Sequence, residues 1–284
     1  MSGKVLDIGC GRDLVVPHAR CATNSSARQM HVRGPRMRVV SRLVEALPKE
    51  IRTHRVISQL KELTAVKLIR RAARIATRHD PRLIHQYMKA NSIRKLQIGC
   101  GYRRIAGWLN CDIDPMRDAI ILDAARPFPF ESNTFDYIYC EHVIEHMAFD
   151  AGQSMLKECD RVLRPGGTLR LATPDVRFLF NLYRADRSSL EAKYIEWSCL
   201  NYVGKKAPHT ALSVINNFVR DWGHVFIYDP ETLRTSIRTA GFQEIVPAKI
   251  GESERPALSG LENVARMPSG FYELETFILE GTKH

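Results

Sequence analysis

The sequence predicts a doubly wound α/β fold on a mostly parallel sheet, preceded by a basic helical extension, and three observations predict it. After Asn91, short apolar runs alternate with helical stretches, the pattern of βαβ units around a parallel sheet. The first of these runs, Lys95 to Ile98, passes directly into a glycine turn, Gly99-Cys100-Gly101. Basic residues gather ahead of that turn: Met1 to Lys95 holds 21 Lys and Arg against 6 Asp and Glu, a net +15, which leaves −4 for the rest of a chain whose total is +11. The chain is therefore read as an extension over residues 1–92 and a main domain over 93–284.

In the extension, Arg36 to Arg78 reads as one or two helices. Val40, Leu43, Val44 and Leu47, then Val56, Leu60, Leu63 and Ile69, recur near helical spacing on either side of Pro48, with Lys and Arg on the other faces. Two readings stay open: a surface that docks on anionic lipid or nucleic acid, or a solvated helical hairpin packed on the main domain. No aromatic residue precedes Tyr87, which disfavours a nucleic-acid surface built on base stacking. Val5 to Gly11 copies the strand and glycine turn of residues 95–101, but no second strand with a suitable acid follows it, so it is read as a remnant or coincidental strand.

In the main domain, the strand after Lys95–Ile98 is expected at Leu109 to Ile113, a short third at Ala119 to Leu122 and a fourth at Phe135 to Cys140. A fifth, Thr168 to Thr173, follows a turn at Arg164-Pro165-Gly166-Gly167. Glu231 to Ala240, stopped by Gly241, is the last helix, and Phe271 to Leu279 reads as a strand of the terminal hairpin. Between about 178 and 221 lies an insertion carrying Tyr183, Tyr194, Trp197 and Tyr202, with Trp222 beside it. Such a segment above the carboxyl ends of strands suits a substrate cover, and ordinary packing of its aromatics is the alternative.

A chain of 284 residues, 44% hydrophobic, can bury one sizeable core. No run approaches the roughly 20 apolar residues of a membrane-spanning helix, and the first residues lack the layout of a secretory signal, so a cytoplasmic location is expected. The seven cysteines, at 10, 21, 100, 111, 140, 159 and 199, form no C-x-x-C pair and read as reduced thiols without structural zinc.

The glycine turn brings backbone close to a ligand and exposes amides. A dinucleotide fingerprint needs a third glycine where Arg104 stands and an acid about 20 residues further on; Asp112 comes too early, which disfavours a dehydrogenase. Asp112, at the tip of the second strand, is placed to accept the hydroxyl protons of a ribose, with Asp114 a bystander. Asp123, after the third strand, can accept an adenine amino hydrogen while the adjacent amide of Ala124 reads a ring nitrogen.

Taken in order, Gly99-Cys100-Gly101, Asn110-Cys111-Asp112-Ile113-Asp114, Leu122-Asp123-Ala124-Ala125, Phe135 to Ile138, Glu141 to His146 and Arg161 to Gly167 resemble the motifs of class I S-adenosylmethionine-dependent methyltransferases. The likeness is strongest to predicted bacterial members of the methyltransferase type 11 kind, in which a G-W-x-N-x-D segment, here Gly107 to Asp112, follows the glycine loop. It covers Lys95 to the C-terminus and implies a Rossmann-like methyltransferase fold with a seven-stranded sheet. It also implies S-adenosylmethionine as cofactor: Gly99, Cys100 and Gly101 beside its methionine part, Asp112 on the ribose, Asp123 and Ala124 on the adenine. Gln97 stands where the family often has an acid, and its amide oxygen can accept from the cofactor's amino group.

Methyl transfer is an in-line displacement that demands alignment and exclusion of water. A hydroxyl acceptor also needs a base, and histidine has the most suitable unperturbed pKa. His142 and His146 follow the fourth strand at the edge where substrates sit, and His224, in Trp222-Gly223-His224-Val225-Phe226, resembles a family segment that turns back over the pocket; these three are the catalytic candidates. His142, Glu145 and His146 lack a third convincing metal ligand, and no metal is expected. Asp175 reads as an ordinary turn residue.

The expected acceptor is a hydroxyl of a small molecule or glycan precursor, a reading that rests on the resemblance. The alternatives are an RNA methyltransferase, suggested by the basic extension but without a recognisable RNA module, and a non-catalytic nucleoside-binding protein. The basic helices could also bring the enzyme to an anionic membrane surface.

Overall fold

The computed structural model describes residues 66–69, 71–116, 118–184, 186–204 and 207–284. The repeated glycine motif at Val5 to Gly11 and most of the helical reading of Arg36 to Arg78 lie outside these residues. Of the separate unit at Arg12–Thr77, the described part is helical over 66–69 and 71–76.

The remainder of the described chain is one α/β unit. Helix α1 (His79–Ala90) leads into β1 (Lys95–Ile98), β2 (Leu109–Asp112), β3 (Ile120–Ile121) and β4 (Phe135–Glu141). A 3-10 turn at Ile144–His146 precedes α2 (Phe149–Val162) and β5 (Leu163–Pro174). Three helices, α3 (Val176–Tyr183), α4 (Ser189–Asn201) and α5 (Ala211–Arg220), fill the insertion. Helix α6 (Pro230–Ala240), β6 (Gln243–Ala248), α7 (Phe271–Glu275) and β7 (Thr276–Thr282) complete the chain. The seven strands form one sheet in the order β3-β2-β1-β4-β5-β7-β6, parallel except for β7, which runs antiparallel to both neighbours. The order reverses between β1 and β4, where open α/β sheets bind ligands.

The sequence explains these elements. The central strands are continuous apolar runs because helices cover both faces of the sheet: Leu96, Ile98, Ile138, Cys140, Leu169 and Leu171 are all buried. Helix α2 buries Met155, Leu156, Cys159 and Val162 along one stripe. Asp229 caps α6 by accepting from the Thr232 amide at 2.7 Å, Pro230 stands at its first position and Gly241, at φ 124°, ends it. Helix α1, which falls in the extension as read above, packs on the sheet through Leu83, Ile84, Tyr87 and Met88. Its Tyr87 hydroxyl donates to the Lys95 carbonyl, and its Asp80 accepts from the Ile121 amide.

Three expectations are corrected. The Arg164 to Gly167 turn does not precede the fifth strand but interrupts it: Leu163 pairs with Phe135 and Thr168 with Tyr137, so the turn is a bulge inside β5. Phe271 to Leu279 is not all strand; Gly270, at φ 84°, starts a short helix that turns Phe271, Tyr272 and Glu275 inward, and the strand begins at Thr276. The terminal pair is no tight hairpin either, because residues 249–275 separate β6 from β7.

The insertion has its own apolar cluster, in which Phe178, Tyr194, Phe218 and Phe271 pack with Trp197 and Trp222. Tyr194 meets Phe178 edge-on at 4.9 Å and Phe271 at 5.1 Å. Among the described residues, no helix is long and apolar enough to cross a membrane.

Candidate functional site

Two corners of the carboxyl edge of the sheet carry the predicted residues. The first is the glycine loop after β1. Gly99 has φ 69°, and a Cβ there would lie 2.2 Å from Val143 Cγ2, so glycine is required both for the backbone and for the close approach of the segment after β4. The Cys100 amide donates to the Cys111 carbonyl and fastens the loop to β2. Burial pushes the Cys100 thiol up to about 12, so it is a packing residue and no nucleophile.

Asp112 is 4% exposed; its Oδ2 accepts from the Gly101 amide at 2.8 Å and its Oδ1 from the Asp114 amide at 2.9 Å. Burial raises its pKa against the pull of those amide bonds. Each carboxylate oxygen keeps a second lone pair, so Asp112 can brace the loop and still accept two hydroxyl protons. Asp123 is more open: Oδ1 accepts from the Ala125 amide, Oδ2 pairs with Arg126 at 3.2 Å, and the next residue, Ala124, is buried. Gln97 is turned to the loop, donating to the Arg103 carbonyl at 3.0 Å and accepting from the Ile105 amide at 3.2 Å. It shapes the glycine loop from beneath.

The second corner follows β4. His142 sits at φ 51°, a conformation few non-glycine residues adopt, and its amide donates to the Ala172 carbonyl of β5. The ring is buried and engaged at both nitrogens. Arg266 Nη2 donates to Nε2 at 2.6 Å, Thr276 Oγ1 lies 3.1 Å from the same atom, and Nδ1 lies 3.1 Å from Glu145 Oε1. A guanidinium only donates, so Nε2 is the acceptor toward Arg266, and Nδ1 faces Glu145. That arrangement leaves neither ring nitrogen of His142 open to an acceptor.

Glu145 is fully buried. Thr173 Oγ1 donates to its Oε2 at 3.0 Å, while Oε1, though close to His142, receives no hydrogen bond of good geometry. Burial works to raise its pKa, but contact with His142 and the charges of His142, His146 and His224 prevail and hold it at about 2. Its carbonyl accepts from the amides of Val225, at 2.7 Å, and Phe226, at 3.1 Å, which draws the segment after α5 onto the turn after β4. His146, half-buried, donates through Nδ1 to the Gly223 carbonyl at 3.2 Å and brings Nε2 to 4.0 Å from Glu145 Oε1. The His224 ring lies against Phe218 at 4.7 Å and against His146 at 5.0 Å, and its Nδ1 is buried without a partner. Burial, aided by the charges of His146 and His142 and opposed by Glu145, lowers the His224 pKa to about 4.

The structure therefore brings His142, His146 and His224 together around one carboxylate, and the Gly99–Val143 contact joins this corner to the glycine loop. Sequence reasoning underrated Glu145, whose signal was its place inside the E-H-V-I-E-H run. Arg266, Thr173 and Thr276 carried no signal, because only the fold brings them there. Asp175 caps α3 through the Arg177 amide, as an ordinary turn residue does.

Residues 96–171 match the family profile described as a methyltransferase domain. No curated protein matches. Among solved structures, the chain is similar to an S-adenosylmethionine-dependent methyltransferase of Thermotoga maritima described as a possible histamine N-methyltransferase, at 19% identity and a TM-score of 0.40, over 70% of this chain and 87% of that one. It is also similar to an S-adenosylmethionine-dependent methyltransferase of Archaeoglobus fulgidus, at 15% identity and 0.40, over 75% and 94%. A third is phosphoethanolamine N-methyltransferase 2 of Haemonchus contortus in complex with S-adenosylmethionine, at 16% identity and 0.37, over 67% and 48%.

Proposed function

We propose, from the premise that the chain is a class I S-adenosylmethionine-dependent methyltransferase, that its acceptor is a hydroxyl of a small molecule or glycan precursor lying against the Glu145, His146 and His224 corner. The glycine-loop corner fits the cofactor: Gly101, at φ 50°, puts no side chain beside the loop backbone, and the buried Asp112 offers the acceptor atoms a ribose needs. Asp123 and Ala124 would hold the adenine, Asp112 the ribose, and Gly99, Cys100 and Gly101 the methionine part. The cofactor supplies a methyl carbon made electrophilic by a sulfonium.

The chain's own residues supply alignment and a proton acceptor. A hydroxyl is a poor nucleophile until its proton is drawn away, and His146, whose Nδ1 donates to the Gly223 carbonyl and whose Nε2 is left facing the cluster, is placed to accept it. The single observation that carries the reading is this cluster, one close contact away from the glycine loop. Helices α3, α4 and α5 follow β5 at the same edge and suit a cover that excludes water. The basic first 95 residues favour a second role, in which the enzyme works in the cytoplasm at an anionic membrane surface.

The test is a mass-spectrometric acceptor screen with the purified full chain, set against matched hydroxyl and amine compounds, sugars and RNA. Methylated oxygen is the expected product, with kcat lowered roughly 10²–10⁴-fold in His146→Ala. Turnover on amines or RNA alone would contradict the reading.

A further inference from the structure

We propose that Glu145, His146 and His224 form a binding site for one divalent first-row cation of the zinc type, held by one carboxylate and two imidazoles. This rests on the acceptor reading above and changes how it would be carried out: with a cation bound, the three side chains would be its ligands, and the acceptor hydroxyl would be activated by the metal rather than by an imidazole. The absence of metal expected from sequence rested on the lack of a third ligand beside His142 and His146; the fold replaces His142 with Glu145 and brings in His224 from 78 residues away.

One ligand atom from each of the three residues lies within 4.8 Å of the others. Each side chain is arranged as a ligand needs. His146 donates its Nδ1 proton to the Gly223 carbonyl, which fixes the tautomer that presents the Nε2 lone pair to the cluster. Glu145 has one oxygen held by Thr173, and the other, fully buried, faces His142 Nδ1 at 3.1 Å on one side and the two other imidazoles on the other. His224 Nδ1 is buried without a partner. A buried ring nitrogen left unsatisfied in a cluster with a buried carboxylate costs free energy that native structures rarely tolerate, and a cation would satisfy it.

The support around the site is also in place. Glu145 and the His224 segment are locked by the two backbone hydrogen bonds from Val225 and Phe226 to the Glu145 carbonyl, so the ligands do not depend on a loose loop. His142 backs the carboxylate at 3.1 Å and is itself held by Arg266 and Thr276, as outer partners hold the ligands of known sites. Ligand atoms of a tetrahedral zinc site stand about 3.4 Å apart, given bonds of about 2.0–2.1 Å, so the cluster would close by roughly 1 Å on binding, within reach of rotation of the His224 ring. Two histidines, one glutamate and an open fourth position match a catalytic rather than a structural zinc site, and leave a place for an acceptor oxygen. The cysteines do not compete: all five described are buried, and none lies in the cluster.

The experiment is a titration of Zn²⁺ alone into the chelator-stripped, untagged full chain, in competition with a chromophoric chelator and without acceptor or cofactor. One equivalent should bind, and the melting temperature should rise with Zn²⁺ as a ligand selective for the folded state requires. His224→Ala and His146→Ala should weaken binding by at least about 100-fold, the upper end of what losing an outer partner alone costs. Glu145→Gln, which keeps the shape and removes the charge, should do the same, and exposed His209→Ala should leave binding unchanged. Failure of the wild-type chain to take up one equivalent, or wild-type affinity in both histidine variants, overturns the proposal; if variants fail to fold, the wild-type titration decides it. Because no acceptor is present, this outcome is separate from that of the acceptor screen.

Discussion

Gly99 and Asp112 show how the chemistry was written at single positions. Alanine at 99 would have to adopt φ 69° and place its Cβ 2.2 Å from Val143 Cγ2. Gly99→Ala should therefore cost about 1–3 kcal/mol of stability. It should also weaken S-adenosylmethionine binding, as thermal melts with and without cofactor would register. Asp112 was legible as the acid at the tip of the second strand, and the structure shows it bracing the loop through the Gly101 and Asp114 amides. Gln97 was read as an acceptor for the cofactor's amino group, and in the structure its amide is bonded to Arg103 and Ile105, partners set by the path of the loop, which no spacing rule predicts. The three histidines were singled out by position along the chain, and the fold gathers them around Glu145; the Arg266 contact that engages His142 Nε2 comes from 124 residues away and left no mark in the sequence.

At the scale of elements, strand and helix placement followed the apolar runs closely, and the misses came where tertiary contacts outweighed local pattern. Phe271 to Glu275 reads as strand because it is aromatic-rich, and folds as helix because Tyr194, packed against Phe271, donates its hydroxyl to the Glu275 carboxylate at 2.7 Å. The joint between α2 and the segment after β3 is another tertiary feature: Glu158 accepts from the Phe128 amide and from Arg161, which in turn donates to the carbonyls of Phe128 and Phe130. The hydrogen bond from Arg161 holds the Glu158 pKa below its ordinary 4.5. A depressed folded pKa contributes stability above the unfolded value and loses it as pH falls, so the melting temperature should drop below about pH 4.5 more steeply in the wild type than in Glu158→Gln.

For the molecule as a whole, the β3-β2-β1-β4-β5-β7-β6 sheet was the most legible feature, because its two-sided burial imposes apolar runs. The least legible was an ion network inside it. Arg170, fully buried on β5, donates to Glu262 at 2.7 Å, to Glu280 at 2.6 Å and to the carbonyls of Lys249 and Glu252, fastening the 249–262 connection to the sheet. In the sequence, Arg170 is a charge set between the apolar Leu169 and Leu171, with partners 92 and 110 residues away. Arg170→Met should cost about 3–5 kcal/mol in urea unfolding, because it leaves two carboxylates buried without their cation.

The most direct test of the central claim is calorimetric titration of S-adenosylmethionine into the full chain, alongside Asp112→Ala. One molecule should bind per chain, and the variant should lose about 1–3 kcal/mol of that affinity through unpaired ribose hydroxyls while keeping its fold. No binding by folded wild-type protein, or equal binding by Asp112→Ala, would contradict the assignment of the glycine-loop corner as the cofactor site.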